Sequence, residues 1–398
     1  MKLSSRIQNM ADSPIRKLSP YAAAAKSAGK KVYGLNIGQP DIEAPEEFYQ
    51  KLREFKGILS YADSQGYSEL LDSFEAYYKK KNIQFDKEDI IVTIGATEAL
   101  SMAMLVTCDI GDEILIPEPM YASYILLAQQ NSVNIRPINT KVENDFSLPE
   151  EGEIAALITD KTRAILISNP SNPTGRVYTK EEVHLIAKIA KDHDLFIFAD
   201  EVYREFIYDD VELISFAHIE DIKDRVVLID SISKRYSACG ARIGSIASKN
   251  KDLMKQILKL AQARLCAPLL EQVGATSFTT VPEEYIINSQ IEYKKRRDLV
   301  YQALSKMDGV VCHKPQGAFY MVVKLPVENA EDFIVWLLSD FSIDNETVFL
   351  APAAGFYGTE GLGLDEVRIS YCINQESLKK AMNILSEGLK EYNKLNRK

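Results

Sequence analysis

Five short apolar runs between residues 89 and 229 limit the folds open to this chain. They are Asp89–Ile94, Asp112–Pro117, Ala164–Ser168, Leu195–Ala199 and Val226–Ile229, and each is followed by small or polar residues. Short runs of this kind, rich in β-branched residues, suit strands buried on both faces of a sheet. Stretches of helical period lie between them. In Ser68–Lys81 the residues Leu70, Leu71, Phe74, Tyr77 and Tyr78 recur at spacings of three and four, and in Lys180–Asp192 the residues Val183, Ile186, Ala187 and Ala190 form one face. Alternation of strands and helices over residues 60–280 predicts an α/β fold, a mainly parallel sheet covered by helices on both faces.

The length of 398 residues allows two substantial domains. The expected division is an N-terminal arm at 1–45 that joins a smaller α+β domain, a large domain at 46–285, and an interdomain helix with the rest of the smaller domain at 286–398. The interdomain helix is expected over Pro282–Asp308, further helices over Lys249–Leu260 and Glu376–Tyr392, and later strands in Pro315–Val323, Thr347–Ala351 and Glu366–Ser370. Lys and Arg total 47 against 57 Asp and Glu, a net of −10, which speaks against general affinity for nucleic acid. Five cysteines without Cys-x-x-Cys pairing and four histidines predict neither disulfides nor a metal site. With no apolar core in Met1–Lys17 and no membrane-length apolar window, a cytoplasmic protein is expected.

The segments that follow the apolar runs carry the chemistry. Val226–Ile229 leads into Asp230-Ser-Ile-Ser-Lys-Arg, so Ser231, Ser233 and Lys234 fall at a strand end, where open α/β sheets bind ligands. Arg242 lies between Gly240 and Gly244, and small hydroxyls with an arginine in a Gly-bounded turn suit a phosphate. A lysine beside a phosphate site suits a Schiff base with a phosphorylated aldehyde. Gly95, Ala96 and Thr97 open a helix after a strand, which reads as an anion site or, equally well locally, as a threonine cap. Asn169-Pro-Ser-Asn-Pro-Thr-Gly175 is a turning loop after a buried strand.

The run Ser231-x-Ser-Lys-x₇-Arg-x-Gly244 resembles the lysine motif of the class I/II aminotransferases, the fold-type I enzymes of the aspartate aminotransferase type. The resemblance spans nearly the whole chain, with the motifs in the family's order. It implies pyridoxal 5′-phosphate as cofactor, held by Lys234, and transfer of an amino group from an L-amino acid, of aspartate type, to a 2-oxo acid such as 2-oxoglutarate. It also implies roles for other residues. Gly95, Ala96, Thr97, Ser231, Ser233 and Arg242 would hold the phosphate, joined by Tyr61 from the second subunit of a homodimer. Tyr121 would stack on the pyridine ring, with Tyr124 as its competitor. Asn172 and Tyr203 would meet the phenolic oxygen. Asp200 would pair with the pyridinium nitrogen, although an arginine is an alternative partner. Gly38 and Arg368 would meet the substrate carboxylate, although for Arg368 an ion pair at a strand edge is the alternative.

A lysine used by one bacterial subgroup to meet the side-chain carboxylate is replaced here by Thr97, so Arg16, Arg235 and Arg264 are the candidates for that task. Aromatic- or alanine-type transamination, and carbon–sulfur β-elimination on the same fold, are the alternatives. A DNA-binding regulator on this fold is not expected, because the residues before Tyr61 carry no helix-turn-helix pattern.

Overall fold

The computed structural model describes residues 1–396. Strands are numbered along the chain. β1 (Lys31–Gly34) lies in the N-terminal arm. Next come β2 (Ile90–Thr93), β3 (Glu113–Glu118), β4 (Asn134–Asn139), β5 (Thr162–Ser168), β6 (Phe196–Asp200), β7 (Val226–Ser231) and β8 (Gly244–Ala247). The last seven form one sheet in the order β2-β8-β7-β6-β5-β3-β4. From β7 to β4 every neighbouring pair is parallel, and β8 runs antiparallel to both β7 and β2.

The core explains why these strands read as unbroken apolar runs. In β7, Val226 and Leu228 join the core on one face of the sheet, whereas Val227 and Ile229 join the core on the other. Ile197 and Phe198 divide in the same way in β6. Side chains alternate between faces along a strand, so both sets must be apolar when helices cover both faces. Each large side chain so buried contributes roughly 1.5–3 kcal/mol. The expected helices form at Ser68–Lys80 and Lys180–Asp192, the latter with a capping box between Thr179 and Glu182.

The remaining strands are β9 (Val311–Cys312), β10 (Tyr320–Lys324), β11 (Glu346–Phe349), β12 (Ala351–Pro352) and β13 (Glu366–Ser370). They build a four-stranded sheet, β12-β13-β10-β9, and a parallel pair of β1 with β11. That pair ties the N-terminal arm to the C-terminal third of the chain. The long helices Glu283–Leu304 and Gln375–Asn396 match the expected ones to within a few residues. The strand expected from Pro315 starts only at Tyr320, because Gly317 makes an isolated bridge with Ile207 and the chain then turns at Ala318, whose φ is +53°. Among the described residues no helix is long and apolar enough to cross a membrane, and all five cysteines are unpaired.

β8 enters the large sheet at a very tight place. A Cβ on Gly244 would stand 2.7 Å from the carbonyl oxygen of Asp230, 2.7 Å from the carbonyl carbon of Gly95 and 2.9 Å from the amide nitrogen of Ala96. All three are backbone atoms, which cannot rotate aside as a side chain can. Gly244→Ala is therefore expected to destabilise the protein by about 1–3 kcal/mol. A fall in the midpoint of urea unfolding would show it, and an unchanged midpoint would contradict the packing described.

Candidate active site

The ends of β6 and β7, the loop after β5 and the start of the helix Gly95–Thr107 converge on one cavity of about 480 Å³. The parallel register sets the placement, since Ser168 pairs with Asp200 and Asp200 with Ile229. Lys234 follows β7 in the short helix Ile232–Arg235, whose N-cap Ser231 accepts a hydrogen bond from the Ser233 amide at 3.1 Å. The hydroxyls of Ser231 and Ser233 are 2.8 Å apart.

Lys234 Nζ donates to the carbonyl of Gly38 at 3.0 Å. Burial disfavours its charge, but the phenols of Tyr320 and Tyr121 and nearby thiols outweigh burial and raise its pKa. A Cβ on Gly38 would lie 1.8 Å from Tyr320 Oη, so only glycine admits that ring. Tyr320 Oη donates to the same carbonyl at 3.3 Å and lies 2.9 Å from Tyr203 Oη. Tyr203 in turn accepts from Asn172 Nδ2 at 3.4 Å, and Asn172 Oδ1 accepts from Arg368 at 3.1 Å. Lys234 and Arg368 are thus joined through Gly38, Tyr320, Tyr203 and Asn172.

Arg368 lies on β13, between β12 and β10, and is 1% exposed. The edge ion pair considered from sequence does not form among the described residues. One guanidinium nitrogen donates to the Asn36 carbonyl at 2.6 Å, the Tyr320 and Phe356 rings flank the group, and Nε has no partner. No carboxylate pairs with it among the described residues, which leaves a fork open to an anion.

Asp200 is similarly incomplete. It is 5% exposed and accepts from Tyr124 Oη at 2.6 Å, and no cation lies within ion-pair distance among the described residues. The arginine considered as its partner is not there. Burial pushes its carboxyl up to about 6, with Asp230 and Glu201 adding to the rise against the Tyr124 hydrogen bond. The adjacent Glu201 is satisfied separately by Arg204 at 2.6 Å and by Ser215. With its hydroxyl taken up by Asp200, Tyr124 packs edge-on against Tyr121, and both rings line the cavity.

At the open end, Gly95 has φ +69° and a Cβ there would stand 2.5 Å from a guanidinium nitrogen of Arg242. The helix N-cap is Ile94, without a side-chain cap, so the threonine cap is ruled out. Thr97 lines the cavity in the first turn, where amide groups lack intrahelical partners. Thr97 and Arg242 are exposed in the single chain. Tyr61 is 79% exposed and is not among the residues that line this cavity.

An unpaired buried acid, an unpaired buried arginine, a lysine and an anion cradle in one cavity fit pyridoxal phosphate and an amino acid. Residues 30–385 match the family model described as aminotransferase class I and II. The chain belongs to this family. Its members of the aspartate aminotransferase type use pyridoxal 5′-phosphate, and this chain is a transaminase of that cofactor class. Over 98% of its length it is 30% identical to all of an aspartate aminotransferase of Bacillus subtilis. Over 98% it is also 32% identical to 99% of aromatic-amino-acid aminotransferase 2 of Thermococcus litoralis. Among solved structures, an alanine aminotransferase of Pyrococcus furiosus matches with a TM-score of 0.90 and 30% identity, over 98% of this chain and 100% of that one.

The three arginines that sequence ranked alike now separate. Arg235 is 4% exposed, pairs with Asp230 at 2.7 Å and stacks on Tyr77, outside this cavity. Arg264 faces Glu98 at 3.4 Å and donates to the Val92 carbonyl. Arg16 lines the cavity and is exposed. Cys239 also lines the cavity, its thiol 3.2 Å from the Ser233 carbonyl. Tyr320 and Asn36 were missed from sequence; a tyrosine heading an apolar strand and an asparagine in an extended arm read as packing and turn.

The Asp200 carboxyl gives a pH test in the apoprotein. Its folded pKa lies above the usual 3.8, so the folded state holds the proton more tightly. Stability is therefore lost as pH rises from about 4 to about 6 and stays lost above, by roughly 2–3 kcal/mol. Asp200→Asn in apoprotein is expected to be more stable than the parent at pH 7.5, with the gap closing towards pH 4. A gap that does not change with pH in urea unfolding would refute this.

Proposed function

We propose that this aminotransferase takes the amino group of an L-amino acid of aspartate type and passes it to a 2-oxo acid such as 2-oxoglutarate. The observation that carries the reading is Lys234 sharing one cavity with two charged side chains that lack opposite charges, Asp200 and Arg368. Bound there, pyridoxal phosphate supplies an electron sink for charge developing at the substrate Cα.

The chain's own residues would do the rest. Arg368 would grip the α-carboxylate through its open fork, with the Gly38 segment beside it, and so fix the Cα–H bond for cleavage. Lys234, its amine freed, would take and return the proton at Cα. Asp200 would keep the ring nitrogen protonated, and Asn172 and Tyr203 would hydrogen-bond the phenolic oxygen, with Tyr121 stacked on the ring. Gly95, Ala96, Thr97, Ser231, Ser233 and Arg242 would hold the phosphate. The exposure of Thr97 and Arg242 in a single chain, together with that of Tyr61, supports a homodimer in which Tyr61 completes the phosphate site of the other subunit. The pairing of β1 with β11 supports a domain division near residues 45 and 285. Five unpaired cysteines support a cytoplasmic setting.

The Bacillus subtilis relative supports aspartate as donor, and the Thermococcus litoralis and Pyrococcus furiosus proteins support an aromatic- or alanine-type donor as the second reading. Lys234→Ala is expected to abolish both the absorbance of the lysine-bound cofactor and turnover; persistence of both would overturn the assignment. A half-reaction screen across amino donors, followed by the cofactor spectrum, separates the readings. Aspartate must discharge the lysine-bound band, and release of pyruvate from cystathionine without added oxo acid would mark a β-lyase instead.

A further inference from the structure

We propose that Arg16 reads the side-chain carboxylate of an acidic substrate, at the rim of the cavity whose buried end holds Arg368. The inference rests on the aspartate-type reading above and names the residue that would carry it. Four cations line this cavity, Arg16, Lys234, Arg242 and Arg368, against a single carboxylate, Asp200. A phosphate at Arg242, an α-carboxylate at Arg368, the cofactor at Lys234 and its ring nitrogen at Asp200 leave Arg16 as the one unmatched charge of these five. A second substrate carboxylate would match it.

The backbone that carries Arg16 is fixed relative to Arg368. Arg368 donates to the carbonyl of Asn36 at 2.6 Å, and Asn36 Nδ2 donates to the carbonyl of Ile15 at 3.2 Å. Two hydrogen bonds through one buried asparagine thus lead from the α-carboxylate arginine to the residue before Arg16. The segment is also held by packing. A Cβ on Gly355 would lie 2.2 Å from Pro14 Cβ, and Ile15 packs on the cluster that contains Phe356, the ring beside Arg368. The Arg16 side chain itself makes no ion pair among the described residues, whereas its neighbour Lys17 takes Glu331 at 2.6 Å. A fixed backbone with a free guanidinium can meet side-chain carboxylates of four- and five-carbon substrates alike, because the long side chain adjusts.

The test compares the parent holoenzyme with Arg16→Gln, measuring kcat/KM for L-aspartate and L-alanine and the Kd of succinate and butyrate by calorimetry. In the parent, succinate should bind more tightly than butyrate and aspartate should be preferred. In Arg16→Gln the affinity for succinate and kcat/KM for aspartate should fall by about 10- to 100-fold, the loss being confined to ligands with the second carboxylate. Unchanged unfolding midpoint and cofactor absorbance would show that the variant folds and loads. If the parent prefers aspartate and succinate and the variant keeps that preference, the role of Arg16 is overturned while the aspartate-type reading stands. Equal loss for ligands with one and with two carboxylates overturns it too. If the parent has no preference for the second carboxylate, the aspartate-type reading itself fails.

Discussion

Parallel pairing of β5, β6 and β7 is the interaction on which the site depends. Hydrogen bonds hold Ser168 beside Asp200 and Asp200 beside Ile229, so β5 and β6 end at one level and β7 two residues beyond it. The polar residues that follow each strand then emerge side by side, although Asn172, Asp200 and Lys234 are far apart in sequence. A slip of one residue in any strand would send its last side chain to the opposite face. The apolar core on both faces opposes such a slip, because every strand residue would have to exchange surroundings. Precision at the site is in this sense a by-product of a sheet buried on both sides.

A second layer of order comes from outside that sheet. The arm provides Asn36 and Gly38, and the C-terminal sheet provides Tyr320 and Arg368. The hydrogen bonds from Arg368 through Asn172, Tyr203 and Tyr320 to Gly38 and Lys234 cross between these parts and the large sheet four times. Tyr203 and Asn172 would therefore serve two networks, the one that holds the arginine and the contact with a cofactor ring proposed above. Rearranging either is expected to disturb the other, since side chains in one network seldom act independently.

Much of this was legible in the sequence, for a physical reason. Strands buried on both faces must be apolar at every position, so β2, β3, β5, β6 and β7 stand out, and their polar successors stand out with them. β4 does not, because it is only partly buried and carries the pattern Asn-Ile-Arg-Pro-Ile-Asn, and β8 is a four-residue strand begun by glycine. β1 is equally short, and its partner, β11, lies more than 300 residues away. The same limit applies to side chains. Tyr320 matters because Gly38 has no Cβ, a relation across 282 positions that no local pattern records. Arg16, Arg235 and Arg264 looked alike until their partners could be seen, and only two of them proved to be occupied.

The unmatched carboxylate of Asp200 has a consequence for the life of the protein rather than for its chemistry. A buried charge that lacks its counter-ion is a standing penalty on the chain alone, and the proposed pairing of Asp200 with a cationic ring would remove it. Cofactor loading is then part of the folding equilibrium, with the loaded form favoured by mass action. The empty form would open more often and offer more sites to proteases. In a cell short of vitamin B6, the amount of this protein would fall along with its activity.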